Sequence, residues 1–427
     1  MAAIHNPQTR RGRAGIAGAL VFLVLLVLFH RSPVRQRGDS RYSLLLSESL
    51  LVHGSFALDR YFGDGELPYQ VERTGGHVYY LFPPGSSVLS LPLVALLRLS
   101  GATAVAPGGG YDDDGEAALE RRVAAFLGAV FGLCVFLLAR LLLPVGWSAV
   151  IALSLGLGTQ VWSTVTRAHW SHGWFVVLGA LAVYELLAAE QRQRRPRGWW
   201  LGSLLAWSYF TRPTAIVPLI AVALWLAFRH RRSLPAFLAA CVFWMGLLTA
   251  WSWSLYQKLL PAYFQPGRLG SEHFFEAIAG NLISPARGML LFSPLVLFIA
   301  YLAIRYRKEL PYRSLAVLAA AVSLVHLLVI SSYGHWWGGY SYGPRLMTDA
   351  LPWIALLAVL GVEGWRRAGP VRLEKIAGVV LVALSVFWNG AGAWSQEANR
   401  WNARPVSVDK SPERVWDWRD PQLLAWR

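Results

Sequence analysis

The sequence predicts an all-α polytopic membrane protein, on three observations. Of the 427 residues, 55% are hydrophobic and only 15% are charged. Apolar runs of about 17–22 residues recur along nearly the whole chain, each long enough to cross a bilayer as a helix. Arginines gather between those runs rather than inside them. This composition fits neither a soluble enzyme nor a disordered chain. The net charge of +16 raises nucleic acid as a partner, but no nucleic-acid motif is present. Basic loops facing anionic lipid account for the charge. Cys134 and Cys241 both fall in apolar runs, which argues against a disulfide framework or a zinc site.

The first run, 14–30, follows Arg10, Arg11 and Arg13. That basic start resembles a secretory leader, but Phe29-His30-Arg31 offers no small-residue cleavage site, so the run reads as an uncleaved first span. Further spans are expected at 82–100, 122–143, 146–163, 172–190, 199–229, 236–256, 289–305, 313–332, 350–366 and 375–393. Arg212-Pro213 interrupts 199–229, which is then one broken span or two. The total is about 11–12 transmembrane helices. Residues 1–393 form a single multi-spanning domain, and 394–427 a short polar tail rich in Trp and Arg.

Three polar segments separate the runs: a long first loop at 31–81, then 257–288 and 333–349. Within the first, Tyr42 to Val52 repeats apolar residues at helical spacing. It reads as an amphipathic helix lying along the membrane. Basic clusters at Arg10–Arg13, Arg192–Arg197, Arg229–Arg232, Arg305–Lys308 and Arg366–Lys375 mark one side as cytoplasmic. The three polar segments then share the outer side. If every run crosses once, Arg192–Arg197 falls on the wrong side. The conflict disappears if 122–143 and 146–163 together cross once and 199–229 crosses twice. Asp112, Asp113 and Asp114 then form a solvated loop tip on the cytoplasmic side, a simpler reading than a metal site.

Gly38-Asp39-Ser40-Arg41-Tyr42 lies about eight residues beyond the first span. A carboxylate at a membrane exit is placed to act as general base on a substrate held at the bilayer surface, with Arg41 keeping Asp39 ionised. The plainer reading is a helix N-cap for the segment that follows. Glu48 and Asp59 are weaker candidates in the same loop. Tyr79-Tyr80-Leu-Phe-Pro-Pro-Gly85 leads into the second run, as an aromatic belt or as a wall of the site. In Arg167-Ala-His169-Trp-Ser-His172, two histidines three apart would share a helix face. A plain interfacial role or a hydrogen-bonding, positioning role suits them better than metal binding, since no third ligand is evident.

Ser284-Pro285-Ala-Arg287-Gly288 and Tyr333-Gly-His335-Trp336-Trp337 through Tyr342-Gly343-Pro344-Arg345 each place an arginine beside Gly and Pro. A guanidinium fork suits phosphate oxygens, and glycines allow close approach of a ligand. The alternative for both arginines is snorkelling to the membrane face. Trp336, Trp337 and Tyr342 offer faces for a sugar ring or a lipid chain.

In this order, the segments resemble the GT-C superfamily of integral-membrane glycosyltransferases. The likeness is closest to the bacterial branch near the protein O-mannosyltransferases and lipid A aminoarabinose transferases. The resemblance rests on Gly38-Asp39, Tyr80 to Gly85, Arg167 to His172, Phe210-Thr-Arg212-Pro213, Ser284 to Gly288 and Trp336 to Pro352. It implies a bundle with amphipathic juxtamembrane helices in the first outer loop. It also implies a polyprenyl-phosphate-linked sugar donor, an outer-facing site in a bacterial inner membrane, and inversion at the anomeric carbon. Asp39 matches the family's catalytic aspartate, and Arg345 a place where the lipid phosphate is held. Many relatives carry an acidic residue where this chain has His172, which puts acceptor class in question. The expectation is a metal-independent hexosyl- or pentosyltransferase acting on an unidentified glycan, lipid or protein. Its rivals are a transporter or flippase of lipid-linked glycans, or a glycan polymerase or ligase.

Overall fold

A computed structural model describes residues 7–265, 267 and 269–426, with side chains from residue 12 onward. The side chains of Arg10 and Arg11, in the expected N-terminal cluster, lie outside the described residues. The chain opens with α1 (Pro7–Arg31) and α2 (Ser43–His53), followed by the strands β1 (Val71–Thr74) and β2 (His77–Tyr80). The strands pair antiparallel, with Val71 opposite Tyr80 and Thr74 opposite His77. Gly75 and Gly76 close the hairpin at φ +59° and +84°, as a two-residue turn of this hand requires.

The 82–100 run is not a span. Pro84 starts α3 (Gly85–Leu89), and α4 (Leu91–Arg98) follows with Pro92 in its first turn. Five and eight helical residues reach only about 20 Å even end to end, too short for the ~30 Å of hydrocarbon. Both pieces pack with α2: the Ser47 hydroxyl donates to Ser87 O at 2.8 Å.

The remaining helices are α5 (Asp113–Arg140), α6 (Val145–Leu157), α7 (Gln160–Ser163), α8 (His172–Gln191), α9 (Gly198–Thr211), α10 (Ile216–Arg229) and α11 (Leu234–Tyr256). After them come α12 (Phe274–Ile283), α13 (Met289–Phe292), α14 (Leu295–Arg305), α15 (Arg313–Ser331), α16 (Leu351–Ala368), α17 (Arg372–Trp394) and α18 (Gln396–Arg400). Among the described residues, seven helices are long and apolar enough to cross a membrane, or eight if α6 and the stretch to Arg167, bent by 43°, make one span. The count falls below the expected 11–12 because α9, α10 and α14 have only 14, 14 and 11 residues. α14 starts part-way along α17, where Leu295 N donates to the Ser385 hydroxyl at 2.8 Å, after the short α13.

One end collects the loops between α8 and α9, α10 and α11, α14 and α15, and α16 and α17. There the Ser233 hydroxyl donates to Pro196 O at 2.8 Å, and Tyr301 and Tyr306 each donate to Glu374 at 2.7 Å. These loops carry the basic clusters. The other end collects the three polar segments. The orientation conflict therefore resolves differently from expectation in one part: 82–100 does not cross, and α5 and α6–α7 run between the two ends separately. The 199–229 block runs out and back as α9 and α10, as expected. Asp112–Asp114 consequently sits with the polar segments. Asp112 caps α5 by accepting from Asp114 N and Gly115 N, both at 3.1 Å.

Small residues set the helix spacing. A Cβ at Gly198 would lie 2.1 Å from Ser233 O, and one at Gly202 2.4 Å from Phe237 O, so α9 and α11 meet backbone to backbone. Gly132 likewise receives Leu25 of α1, at 2.2 Å from a Cβ built there.

Candidate active site

The segment after α1 is pinned on both sides of Asp39. Gln36 donates from its side chain to Ser163 O at 2.9 Å. Arg37 reaches Glu116 and Glu120 at 2.9 Å each, and Asp113 at 3.0 Å. The Gln70 amide donates to Gly38 O at 3.1 Å, and the Tyr80 hydroxyl to Asp39 O at 2.5 Å. The carboxylate of Asp39 is left free of this scaffold. It is not a helix cap: Tyr42 occupies the cap position of α2, with φ 70° and no side-chain cap bond. Instead Glu116 accepts from the backbone N–H groups of Tyr42, Leu44 and Leu45 at 2.9–3.1 Å. A carboxylate borrowed from α5 thus satisfies the unpaired donors that open α2.

The Asp39 carboxylate accepts from the Tyr69 hydroxyl at 3.3 Å on one oxygen and from Arg345 Nη1 at 3.2 Å on the other. Burial and the neighbouring Asp39 charge raise the Tyr69 hydroxyl above the ordinary tyrosine range, so it stays a donor. Arg345 comes from the loop between α15 and α16, whose turns at Gly338, Gly339 and Gly343 have φ +72°, +63° and +68°. Its guanidinium lies 4.4 Å above the Trp170 ring, and its Nε is buried without a hydrogen-bond partner. Asp39 and Arg345 are 306 positions apart in sequence, yet their side chains meet, 35% and 12% exposed.

They line a cavity of about 980 Å³ with Tyr69, Trp170, Arg212, His335 and Asp409. Its far wall is apolar, with Ile216, Phe264, Leu269 and Val329. Asp409 comes from the C-terminal tail, where it accepts from Trp337 Nε1 at 2.9 Å and pairs with His335 at 3.1 Å. Behind the cavity lies a second cluster. Asp349 contacts His172 Nδ1 at 2.6 Å, Arg212 Nε at 2.8 Å and the Thr214 hydroxyl at 2.8 Å.

Several sequence-predicted residues lie elsewhere. Arg41 turns away from Asp39 to pair with Asp113 at 2.9 Å, so the cation beside Asp39 is Arg345. Arg287 is 1% exposed and all five of its N–H groups are taken. The acceptors are Trp337 O, Ala286 O, Gly339 O, Gln422 Oε1 and Asn402 Oδ1 at 2.6–3.0 Å. It ties the 333–345 loop to the tail and has no donor left for a phosphate. Trp336 is buried in the cluster with Trp401 and Val408. Tyr342 is buried against Phe292 with its hydroxyl on Trp388 O at 3.0 Å.

Tyr79 packs on Tyr256, with ring centroids 5.4 Å apart. Tyr80 acts through its hydroxyl on the Asp39 backbone. His169 sits between the Ser43 and Ser90 hydroxyls at 2.9 Å each, and burial lowers it to about 3. It is therefore a neutral bridge, with one ring nitrogen donating and the other accepting. His172 opens α8 while His169 precedes it, so the two do not share a helix face. Glu48 is fully buried, held by Arg98, Thr103 and the Ala104 N–H. Asp59 pairs with His77 at 2.8 Å. Among the described residues, no group of three or more His, Cys, Asp or Glu is arranged to hold a metal.

Sequence comparison finds no matching family model and no matching characterised protein. Structure comparison does find similarity. ArnT from Cupriavidus metallidurans, solved bound to undecaprenyl phosphate, superposes with a TM-score of 0.52 at 14% identity, covering 92% of this chain and 69% of that one. The chain has the GT-C fold. The oligosaccharyltransferase of Archaeoglobus fulgidus, in its apo form, gives a TM-score of 0.49 at 10% identity over 96% of this chain and 60% of its own. Within the GT-C frame, Asp39 stands in the first loop after the first helix and Arg345 before the helix that follows α15.

Proposed function

We propose that this protein is an inverting glycosyltransferase that moves a sugar from a polyprenyl-phosphate donor to an acceptor hydroxyl. The observation that carries the reading is the Asp39–Arg345 contact at 3.2 Å, open to a large cavity with an apolar far wall. An anionic donor phosphate competes with Asp39 for Arg345, because a guanidinium binds phosphate oxygens through the same fork. Release of Arg345 leaves Asp39 free to take the proton of the acceptor hydroxyl. The acceptor oxygen bonds to the anomeric carbon from the face opposite the leaving group. The bond from that carbon to the phosphate oxygen breaks, and its electron pair leaves with the polyprenyl phosphate. Arg345, with Arg212 across the cavity, meets that charge as it develops. In this scheme fixed guanidinium groups, rather than a metal, neutralise the leaving group. The wall between α10 and α15 suits an isoprenoid chain.

The test is to incubate the purified protein with polyprenyl-phosphate sugars and extracts of envelope lipids, glycans and proteins. Release of polyprenyl phosphate together with a glycosylated product, identified by mass spectrometry, is the expected result. A transporter or flippase would move the donor intact and release no polyprenyl phosphate. The reading also places the cavity on the outer side of a bacterial inner membrane. Single cysteines at Asp64 and Lys410, at the cavity end, are expected to react with an impermeant thiol reagent in intact cells. Cysteines at Arg195 and Arg232 are expected to stay unlabelled, and the reverse pattern would invert the orientation.

A further inference from the structure

A second cleft lies outside the cavity, between α1, α4 and α5. It has a volume of about 460 Å³ and is lined by Leu26, Val27, Leu93, Leu96, Val123 and Phe126, with His30, Arg31 and Arg122 at one edge. Its walls belong to one interfacial helix and two spans. Because α4 does not cross, the cleft sits where acyl chains meet headgroups.

The basic edge is unusual in two respects. Arg121, which adjoins Arg122, feels the charges of Arg35 and Arg122, and His30 those of Arg31, Arg121 and Arg122. Among the described residues, no ion pair joins Arg31, Arg35, Arg121 or Arg122 to a carboxylate, and Arg121 Nε is buried without a partner. Neighbouring arginines at the same end behave differently: Arg37, Arg41 and Arg98 are each paired with Asp or Glu. The cluster also lies at the end opposite the basic loops, where charge bias does not call for arginines. Like charges gathered without a counter-charge repel one another unless an anion joins them.

We propose that this cleft is a binding site for an anionic phospholipid of the surrounding leaflet. The phosphate sits between Arg31 and Arg122 at the cleft edge, with Arg121 adjacent on α5, and an acyl chain lies against Leu93, Leu96 and Phe126. The bound lipid ties α1 to α5 beside the loop that carries Asp39.

The test is native mass spectrometry of the whole protein, released from vesicles of equal parts phosphatidylglycerol and phosphatidylcholine. The wild type is expected to retain phosphatidylglycerol selectively. Replacing Arg31→Gln and Arg122→Gln together is expected to reduce that retention roughly tenfold or more, as each arginine near a charged headgroup contributes measurably. Arg229→Gln with Arg232→Gln, the same charge change at the opposite end, is expected to leave it intact. Leu93→Trp, which fills the cleft without touching charge, is expected to reduce it as well. Equal loss in both arginine pairs, or no effect of Leu93→Trp, would mean diffuse attraction and overturn the proposal. Preferential retention of undecaprenyl phosphate added to the same vesicles would overturn it too. Each result is independent of whether the cavity transfers sugar.

Discussion

Two aspartate–arginine contacts lie at the same end of this bundle and differ in what surrounds them. Asp39 and Arg345 meet through one 3.2 Å hydrogen bond, at 35% and 12% side-chain exposure. Asp349 has no exposed surface and is held by Arg212, His172 and Thr214 at 2.6–2.8 Å. The first pair can exchange partners at little cost, since water and ligands reach both groups. The second cannot, because opening it strands a charge in a low-dielectric interior. An open ion pair beside a cavity is a place to bind a charged substrate; a closed one holds the wall of that cavity in shape.

The sharpest way to separate the two is a neutral amide at each carboxylate. Asp39→Asn is expected to lower transfer by ~10²–10⁴-fold, the range for a positioned base, with unfolding temperature in detergent near wild type. Retention of more than about a tenth of the activity would remove Asp39 as the base. Asp349→Asn is expected to act on folding instead. It removes the buried charge that holds Arg212, His172 and Thr214 together, a loss of up to about 3–5 kcal/mol, readable as a lower thermal midpoint and poor yield. If Asp349→Asn were as stable as the wild type, whatever its activity, the division into open and closed pairs would fail.

The sequence already distinguished these regions in part. Asp39 was legible because a carboxylate soon after a span exit is positioned by the chain itself. Tyr69 and Asp409 were not, since they reach it or its cavity only through the packing of distant helices; Arg345 stood out as a phosphate-binding candidate, but not as the partner of Asp39. Arg345 and Arg287 looked alike, each beside Gly and Pro. Those neighbours signal close backbone approach but not what approaches: at Arg287 it is the protein's own tail, through Asn402 and Gln422. The apolar runs revealed the bundle. The 82–100 run misled because its hydropathy matches a span while Pro83 and Pro84 delay its helix to Gly85 and Pro92 opens a second, separate helix. The β hairpin was missed although Gly75-Gly76 between Val71-Glu-Arg-Thr74 and His77-Val-Tyr-Tyr80, which carry β-branched and aromatic residues, is a hairpin signal.

Arg345 offers a finer cut within the open pair. Arg345→Ala is expected to weaken use of the lipid-phosphate donor roughly tenfold to a hundredfold, on the scale of a charged hydrogen bond of ~1.5–3 kcal/mol. Arg345→Lys is expected to recover only part. Lysine keeps the charge but loses the planar fork and the flat contact over Trp170 at 4.4 Å. Donor KM and kcat, measured with acceptor in excess, check this. Full recovery by lysine would reduce Arg345 to a point charge near the membrane face.

The smallest effect is expected at Arg41, and it tests whether nearness in sequence or in space decides. Arg41 is two positions from Asp39, closer in the chain than any other cation except Arg37. In space it contacts Asp113 at 2.9 Å, with 39% and 48% of the two side chains exposed. An ion pair this exposed contributes about 0–1 kcal/mol. Arg41→Gln is therefore expected to change transfer by less than about fivefold. If Arg41 instead served Asp39, its loss would cost activity on the scale of Arg345→Ala. A loss in Arg41→Gln as large as that in Arg345→Ala would reverse the assignment of partner. A near-wild-type Arg41→Gln beside an impaired Arg345→Ala would identify Arg345 as the cation that serves Asp39.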